Sequence, residues 1–141
     1  MNILRLLAAI TLSIALCSGL SSCSKDEDTE KKVNPNIETF SKLIIGKWVW
    51  EESTSTSKTY RSLEFFSNGS CKRRYKWAVN NYDRWDILDD TNEVLNWKLY
   101  DVDGSLVGLG GNFGAVIDVT QSTLSFYTGM NYYRSNANPS F

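Results

Sequence analysis

The hydrophobic positions of this chain change their spacing three times. From Leu6 to Ala15 they are nearly continuous, and from Ser24 to Asn36 they vanish apart from Val33. Ile37, Phe40, Leu43 and Ile44 then recur at i, i+3, i+6 and i+7, which predicts a short amphipathic helix stopped by Gly46. Beyond Gly46 the period becomes two. Trp48 and Trp50 share one side of a first strand, and Ser53–Lys58 reads as a Ser/Thr-rich loop. Tyr60–Phe66 is a second strand, with Leu63 and Phe65 inward and Arg61 and Glu64 near the surface. Asn68-Gly69 is a hairpin signal, because both residues tolerate the positive φ of a tight turn.

Cys71, Tyr75 and Trp77 alternate with Lys72, Arg74 and Lys76, while Arg73 interrupts the apolar face and points inward or, at a bulge, outward. After a turn at Asn80-Asn81, Tyr82–Leu88 carries Trp85 and Ile87 in register. Asp89–Asn92 reads as another turn, followed by a strand Val94–Tyr100 with Leu95, Trp97 and Leu99 on one face. Residues 103–114 are glycine-rich and read as a mobile hairpin. Val116–Val119, Thr123–Tyr127 and Asn131–Arg134 are three more short strands. About eight strands joined by short turns predict an all-β domain, a small antiparallel up-and-down barrel preceded by a short helix. Closing the sheet removes its exposed edges.

Composition narrows the chemistry. Five Trp and seven Tyr suit a pleated, half-buried surface. Histidine is absent, which removes the commonest general base, pH switch and transition-metal ligand together, so the domain is expected not to be an enzyme. A formal charge of -1 argues against nucleic acid, which requires a basic face. No cofactor or metal is expected. Gly108–Gly114 has Phe113 where a dinucleotide fingerprint needs its third glycine, and no helix follows. Asp101-Val102-Asp103-Gly104 lacks the further ligands of a calcium loop and reads as a turn. Asp83, Asp86, Asp89 and Asp90 cluster near one hairpin as solvated carboxylates.

The N-terminal pattern is a different object. Met1–Arg5 carries one positive charge, and the apolar run after it suits a signal h-region, well short of the ~20 residues that span a bilayer. Leu20-Ser21-Ser22-Cys23 resembles the lipobox of bacterial lipoproteins: an aliphatic residue, two small ones, then a cysteine whose thiol accepts lipid. Cleavage between Ser22 and Cys23 is expected, with cleavage after Ala15 or Gly19 as the competing reading. The run Ser24, Lys25, Asp26, Glu27, Asp28 resembles the export signal of Bacteroidota lipoproteins that reach the outer face of the outer membrane; its other reading is a solvated tether. Cys17 leaves with the leader and Cys23 is acylated, so Cys71 has no disulfide partner and is expected as a small buried hydrophobe.

These divisions give a lipoprotein signal peptide at 1–22, a lipidated Cys and acidic tether at 23–36, and a β domain at 37–141. Within the last, Leu43–Trp48, Leu63–Ser70 and Ile117–Leu124 together resemble the lipocalin-like lipoproteins of Bacteroidota over about residues 40–134. In the wider lipocalin fold a Gly-x-Trp opening closes one end of the barrel, the Trp packing beneath an Arg of the final strand. The resemblance therefore implies a closing motif of Gly46, Trp48 and Arg134. The chain is shorter than true lipocalins and lacks their last helix and disulfide.

A barrel of this size is either filled by its own side chains or holds one small ligand. Trp50, Arg73, Tyr75, Trp77, Trp85 and Trp97 are the candidate lining residues, with Arg73 as an anion anchor; the same aromatics, with Phe126, could instead fill the interior. The expected function is a monomeric outer-membrane lipoprotein, held by lipid and surface-exposed if the acidic run acts as an export signal. Its non-enzymatic domain would bind a small apolar or amphipathic ligand. The alternative is an interaction module, a filled barrel that meets a glycan or partner protein through exposed aromatics such as Trp85, Tyr100 or Tyr132.

Overall fold

A computed structural model of the protein describes residues 34–141. The expected signal peptide, the Ser22/Cys23 cleavage position, Cys17, the lipidated Cys23, the export signal Ser24–Asp28 and the tether up to Val33 lie outside the described residues. A helix α1 (Pro35–Leu43) precedes eight strands: β1 (Gly46–Ser53), β2 (Ser57–Phe65), β3 (Ser70–Asn81), β4 (Arg84–Asp101), β5 (Val107–Gly111), β6 (Ala115–Val119), β7 (Thr123–Phe126) and β8 (Asn131–Arg134). Each strand pairs antiparallel with the next, and β8 returns to β1, so the sheet closes into an all-β, up-and-down barrel.

The helix starts earlier than its apolar pattern, because its cap and its proline lie ahead of Ile37. Asn34 caps it, its side-chain oxygen accepting from the Asn36 N–H, and Pro35 occupies the first turn, where a missing N–H costs nothing. The Asn34 amide also donates to Asp101 Oδ1 and to the Leu106 carbonyl, each at 3.2 Å, which ties the helix start to the β4–β5 turn. Asn34–Asn36 therefore belong to the domain rather than to the tether.

Two further expectations are corrected. Asp89–Asn92 is no turn: β4 runs without a break from Arg84 to Asp101. The polar run is held extended by its neighbour, since it lies opposite the basic strand β3, with Asp90 facing Lys76, Asn92 facing Arg74 and Glu93 facing Arg73. Opposite charges across a strand pair stabilise it, and they outweigh the weak turn signal here. The glycine-rich stretch, in turn, is not a mobile hairpin. Val107–Gly111 is the fifth strand, with Val107 and Leu109 buried inward. Its glycines are required by contact: a Cβ on Gly108 would stand 2.1 Å from the Tyr100 ring, which lies across it. The total of eight strands survives because one expected pair fuses and one expected loop pairs.

Strand lengths divide the barrel. The β3–β4 pair is the longest, running from Ser70↔Asn96 to Asn81↔Arg84 with a bulge between Trp77 and Ala78, whereas β5 to β8 are four or five residues each. β5 meets β4 only over Trp97–Asp101, so β1 to β4 overhang the short strands. Around the base the core is packed: Trp48, Leu63, Phe65, Cys71, Leu109, Ile117, Val119 and Leu124 are buried together, and Ile44 of the helix end plugs them from below.

Gly111 and Gly114 bracket the β5–β6 turn and separate two costs. Both have positive φ, at +76° and +60°, but a Cβ on Gly111 would lie 2.3 Å from the Asn96 carbonyl oxygen, while one on Gly114 meets nothing within 4 Å. Gly114→Ala is expected to destabilise by about 1–2 kcal/mol from the left-handed backbone alone. Gly111→Ala should lose a further ~1–3 kcal/mol from overpacking, read as the difference between two urea-unfolding curves.

Candidate functional site

One end of the barrel is sealed. The Arg134 guanidinium lies 4.2 Å from the centre of the Trp48 ring, and its nitrogens donate to the carbonyls of Leu43, Ile45 (2.9 Å) and Gln121 (2.9 Å). Trp48 is fully buried and donates from Nε1 to the Ile44 carbonyl at 2.7 Å. Gly46, at φ +117°, leaves the room: a Cβ there would stand 2.7 Å from Arg134 Nη1. Gly46, Trp48 and Arg134 thus form one contact set, and it is structural, since every polar atom named in it faces protein.

The other end is open beneath the overhang. Period two carries the inward face of β2 from Phe65 and Leu63 on to Arg61, and cross-strand register adds Arg73 and Tyr75 of β3 and Thr91 and Glu93 of β4. These residues, with Tyr132 of β8, line a cavity of about 320 Å³. A smaller one of about 200 Å³ shares Arg73 and Tyr132 and is lined otherwise by Leu63, Phe113, Phe126, Thr128 and Met130. The chamber is therefore amphipathic, with one polar wall from the long strands and one apolar wall from the short ones.

The two guanidiniums on the polar wall are unlike. Arg73 Nη2 donates to Glu93 Oε2 at 2.6 Å, so its charge has a counter-ion. Arg61 forms no ion pair among the described residues. Its guanidinium sits between the rings of Trp50 (5.3 Å) and Tyr75 (5.4 Å), Nη1 reaches Met130 Sδ at 3.6 Å, the Tyr132 hydroxyl stands close by, and the buried Nε has no acceptor. Two aromatic faces stabilise such a cation by roughly 0.5–2 kcal/mol each. They do not satisfy a buried N–H, which left unpaired costs ~1–3 kcal/mol. Tyr132, 7% exposed, closes the far side, and burial raises its hydroxyl pKa.

Outside the barrel a groove of about 390 Å³ runs between the β1–β4 wall and the C-terminal segment. Lys47 Nζ and the Tyr60 hydroxyl both donate to the Ala137 carbonyl there, and the Phe141 ring lies near Lys58 and Lys76. Of its charged lining residues, Arg73, Arg74 and Glu93 are ion-paired within the chain. Arg74 grips Asp90 through two hydrogen bonds of 3.0 and 2.9 Å, which holds the Asp90 carboxyl below its ordinary pKa. The interior chamber, with its unmatched guanidinium, is the stronger site.

No family model, curated protein or solved structure matches the chain. The site is read from its own geometry.

Of the candidate lining residues, Arg73 and Tyr75 line the chamber, and Trp50 backs it beneath Arg61. Trp77 is on the same face but farther out, opposite Thr59 and Asp89. Trp97 belongs to the packed half, its Nε1 bonded to the Phe66 and Ser70 carbonyls and its ring edge-on to Phe65 at 5.5 Å. Trp85 is a correction. Beyond the bulge it pairs with Asn80 on the outer face, where Lys58 Nζ lies 4.5 Å above its ring. Arg61 is a second correction, since it faces inward and not the surface. Tyr132, expected as an exposed interaction residue, is buried in the chamber wall, whereas Tyr100 is exposed as expected, its ring lying over Gly108. Sequence reasoning missed Thr91, Glu93 and Met130. Asp103 forms a turn through bonds from the Ser105 and Leu106 N–H groups, and no metal-binding cluster occurs among the described residues.

Cys71 is fully buried, and desolvation pushes its thiol up to about 12 from the ordinary 9.0. Raised in the folded state, it contributes stability that is fully present below pH 9 and lost as pH rises towards 12. At pH 8 the native thiol should resist alkylation, while the urea-unfolded chain reacts within minutes. Peptide mass mapping at Cys71 reads the difference; equal modification of both states would show that the thiol is accessible.

Proposed function

We propose that this protein is a lipid-anchored envelope lipoprotein whose barrel binds one small amphipathic ligand in the chamber beneath the β1–β4 overhang. The observation that carries the binding reading is the chamber itself: polar on one wall, apolar on the other, at the small end of the range for ligand pockets. A filled barrel would have placed aromatic side chains there. Trp97 packs against the base and Trp85 lies outside, so the interior keeps its space.

Anchoring rests on the sequence. The lipobox-like Leu20–Cys23 and the acidic run after it support lipid on Cys23 and display at the outer membrane, and the cap at Asn34 leaves some ten residues of chain between anchor and domain. The likeness to lipocalin-like lipoproteins supports the same reading, as does the Gly46, Trp48 and Arg134 set at the sealed end. We read the domain as non-enzymatic: no histidine exists in the chain, and the chamber carboxylate, Glu93, is held by Arg73.

Native mass spectrometry of the full chain, extracted from its host's envelope in mild detergent, tests both parts. The expected spectrum shows a covalent acyl mass that Cys23→Ser removes, together with a non-covalent small-molecule adduct released on activation. A chain that retains its leader and lacks lipid would overturn the anchor. An acylated protein consistently free of any adduct would overturn the ligand.

A further inference from the structure

We infer that the ligand carries a compact anionic head, of carboxylate type, and that Arg61 is the residue that receives it. The inference rests on the binding reading above and adds the chemistry of the ligand and the residue that selects it.

Charge accounting across the chamber leads there. The charged residues that line it are Arg61, Arg73, Arg74 and Glu93; Arg73 engages Glu93 at 2.6 Å, Arg74 engages Asp90 at 2.9 Å, and Glu52, in phase with Trp48 and Trp50 on β1, forms no ion pair with Arg61. Asp89, the next inward carboxylate along β4, lies across from Trp77 and forms no ion pair with Arg61. Among the described residues Arg61 is therefore an inward guanidinium without an ion-pair partner, and a partly buried charge is stable only when something compensates it.

The geometry of Arg61 says what form the compensation takes. A guanidinium offers planar forks of two parallel N–H bonds that match the two oxygens of a carboxylate. Nη1 is turned towards the Met130 sulfur, a weak acceptor, the Tyr132 hydroxyl stands close to the guanidinium, and Nε has no acceptor. The Nε–Nη2 edge thus keeps at least one buried N–H, that of Nε, without a protein acceptor. Trp50 and Tyr75 hold the plane of the fork from either side, so little rotamer freedom remains to be lost on binding. The apolar remainder of the ligand has a matching wall: Leu63, Phe113, Phe126 and Met130 line the adjoining cavity. An apolar body on that wall with its anion at Arg61 would meet every unmet demand of the chamber.

The test is isothermal titration of the full chain, reconstituted in discs of uncharged lipid with empty discs subtracted. The probes are naphthalene-1-acetate and octanoate, each beside its primary amide, which has nearly the same shape and no charge. Charge-assisted hydrogen bonds predict that each carboxylate binds about ten- to a hundredfold more tightly than its amide. Arg61→Met should abolish that preference while leaving amide binding within about threefold. Arg61→Lys, which keeps the charge and loses the fork, should keep only part of it. Because the wild-type preference is read first, a poorly folding variant does not remove the test. Carboxylate and amide of equal affinity would overturn the inference and leave ligand binding standing. A preference that survives Arg61→Met would place the anion elsewhere and overturn it too. Binding of none of the four would overturn the small-ligand reading and this one with it.

Discussion

Closure of the barrel depends on a single cation held by one indole and three carbonyls. The β1–β8 seam is only two residue pairs wide, Trp48↔Arg134 and Val49↔Tyr133, and so short a ladder would hold a closed sheet poorly by itself. Arg134 reinforces it at the sealed end. It lies on Trp48 of the first strand and reaches the helix end at Leu43, the helix–strand junction at Ile45 and the β6–β7 turn at Gln121. One side chain thereby fixes the beginning of the domain to its end. Gly46 has to be glycine for that, on two counts: its φ is positive, and the guanidinium occupies the place of its Cβ.

Given a sealed base, the difference in strand length decides what the other end can be. β5 to β8 are just long enough to complete the ring around the core, and β1 to β4 continue past them. The inward face of that continuation is met only by the strand ends at Phe126 and Tyr132 and by turn residues such as Phe113 and Met130. It therefore need not be apolar, and it is not: Arg61, Arg73, Thr91 and Glu93 all project from it. The same two-residue period that builds the core places polar groups over the opening once the opposite wall stops. The chamber follows from truncating one half of a barrel, with no change in the local rules of either half.

Much of this was legible in the chain. The closed antiparallel barrel, the helix before it and the Asn-Gly hairpin follow from periodicity and turn chemistry. The misreadings share one cause, which is that local signals were weighed without their strand neighbours. Asp89–Asn92 has turn-like composition, but the basic strand beside it holds it extended. Gly108 and Gly110 suggest mobility, yet the ring of Tyr100 needs flat backbone beneath it. Arg61 shows the error most clearly. With Leu63 and Phe65 facing inward, alternation alone required Arg61 to face inward as well; its charge argued for the surface, and the period prevailed. Trp85 went the other way, because the bulge at Trp77/Ala78 interrupts the register between β3 and β4 and turns the later residues to the opposite face. A bulge of that kind leaves no reliable mark in a single sequence.

Arg61 and Arg134 make an instructive pair, since both are guanidiniums stacked on tryptophans of β1 at neighbouring inward positions, Trp50 and Trp48. Arg134 directs three of its five N–H groups to backbone carbonyls, so it contributes rigidity. Arg61 is placed two residues further along the same face, where the short strands end and the backbone oxygens that satisfied Arg134 are absent. Stacking holds it in place without satisfying it. The difference between a structural arginine and a binding arginine here is thus not the residue or its aromatic partner. It lies in whether chain ends and turns close over the guanidinium, as the helix end and the β6–β7 turn do over Arg134.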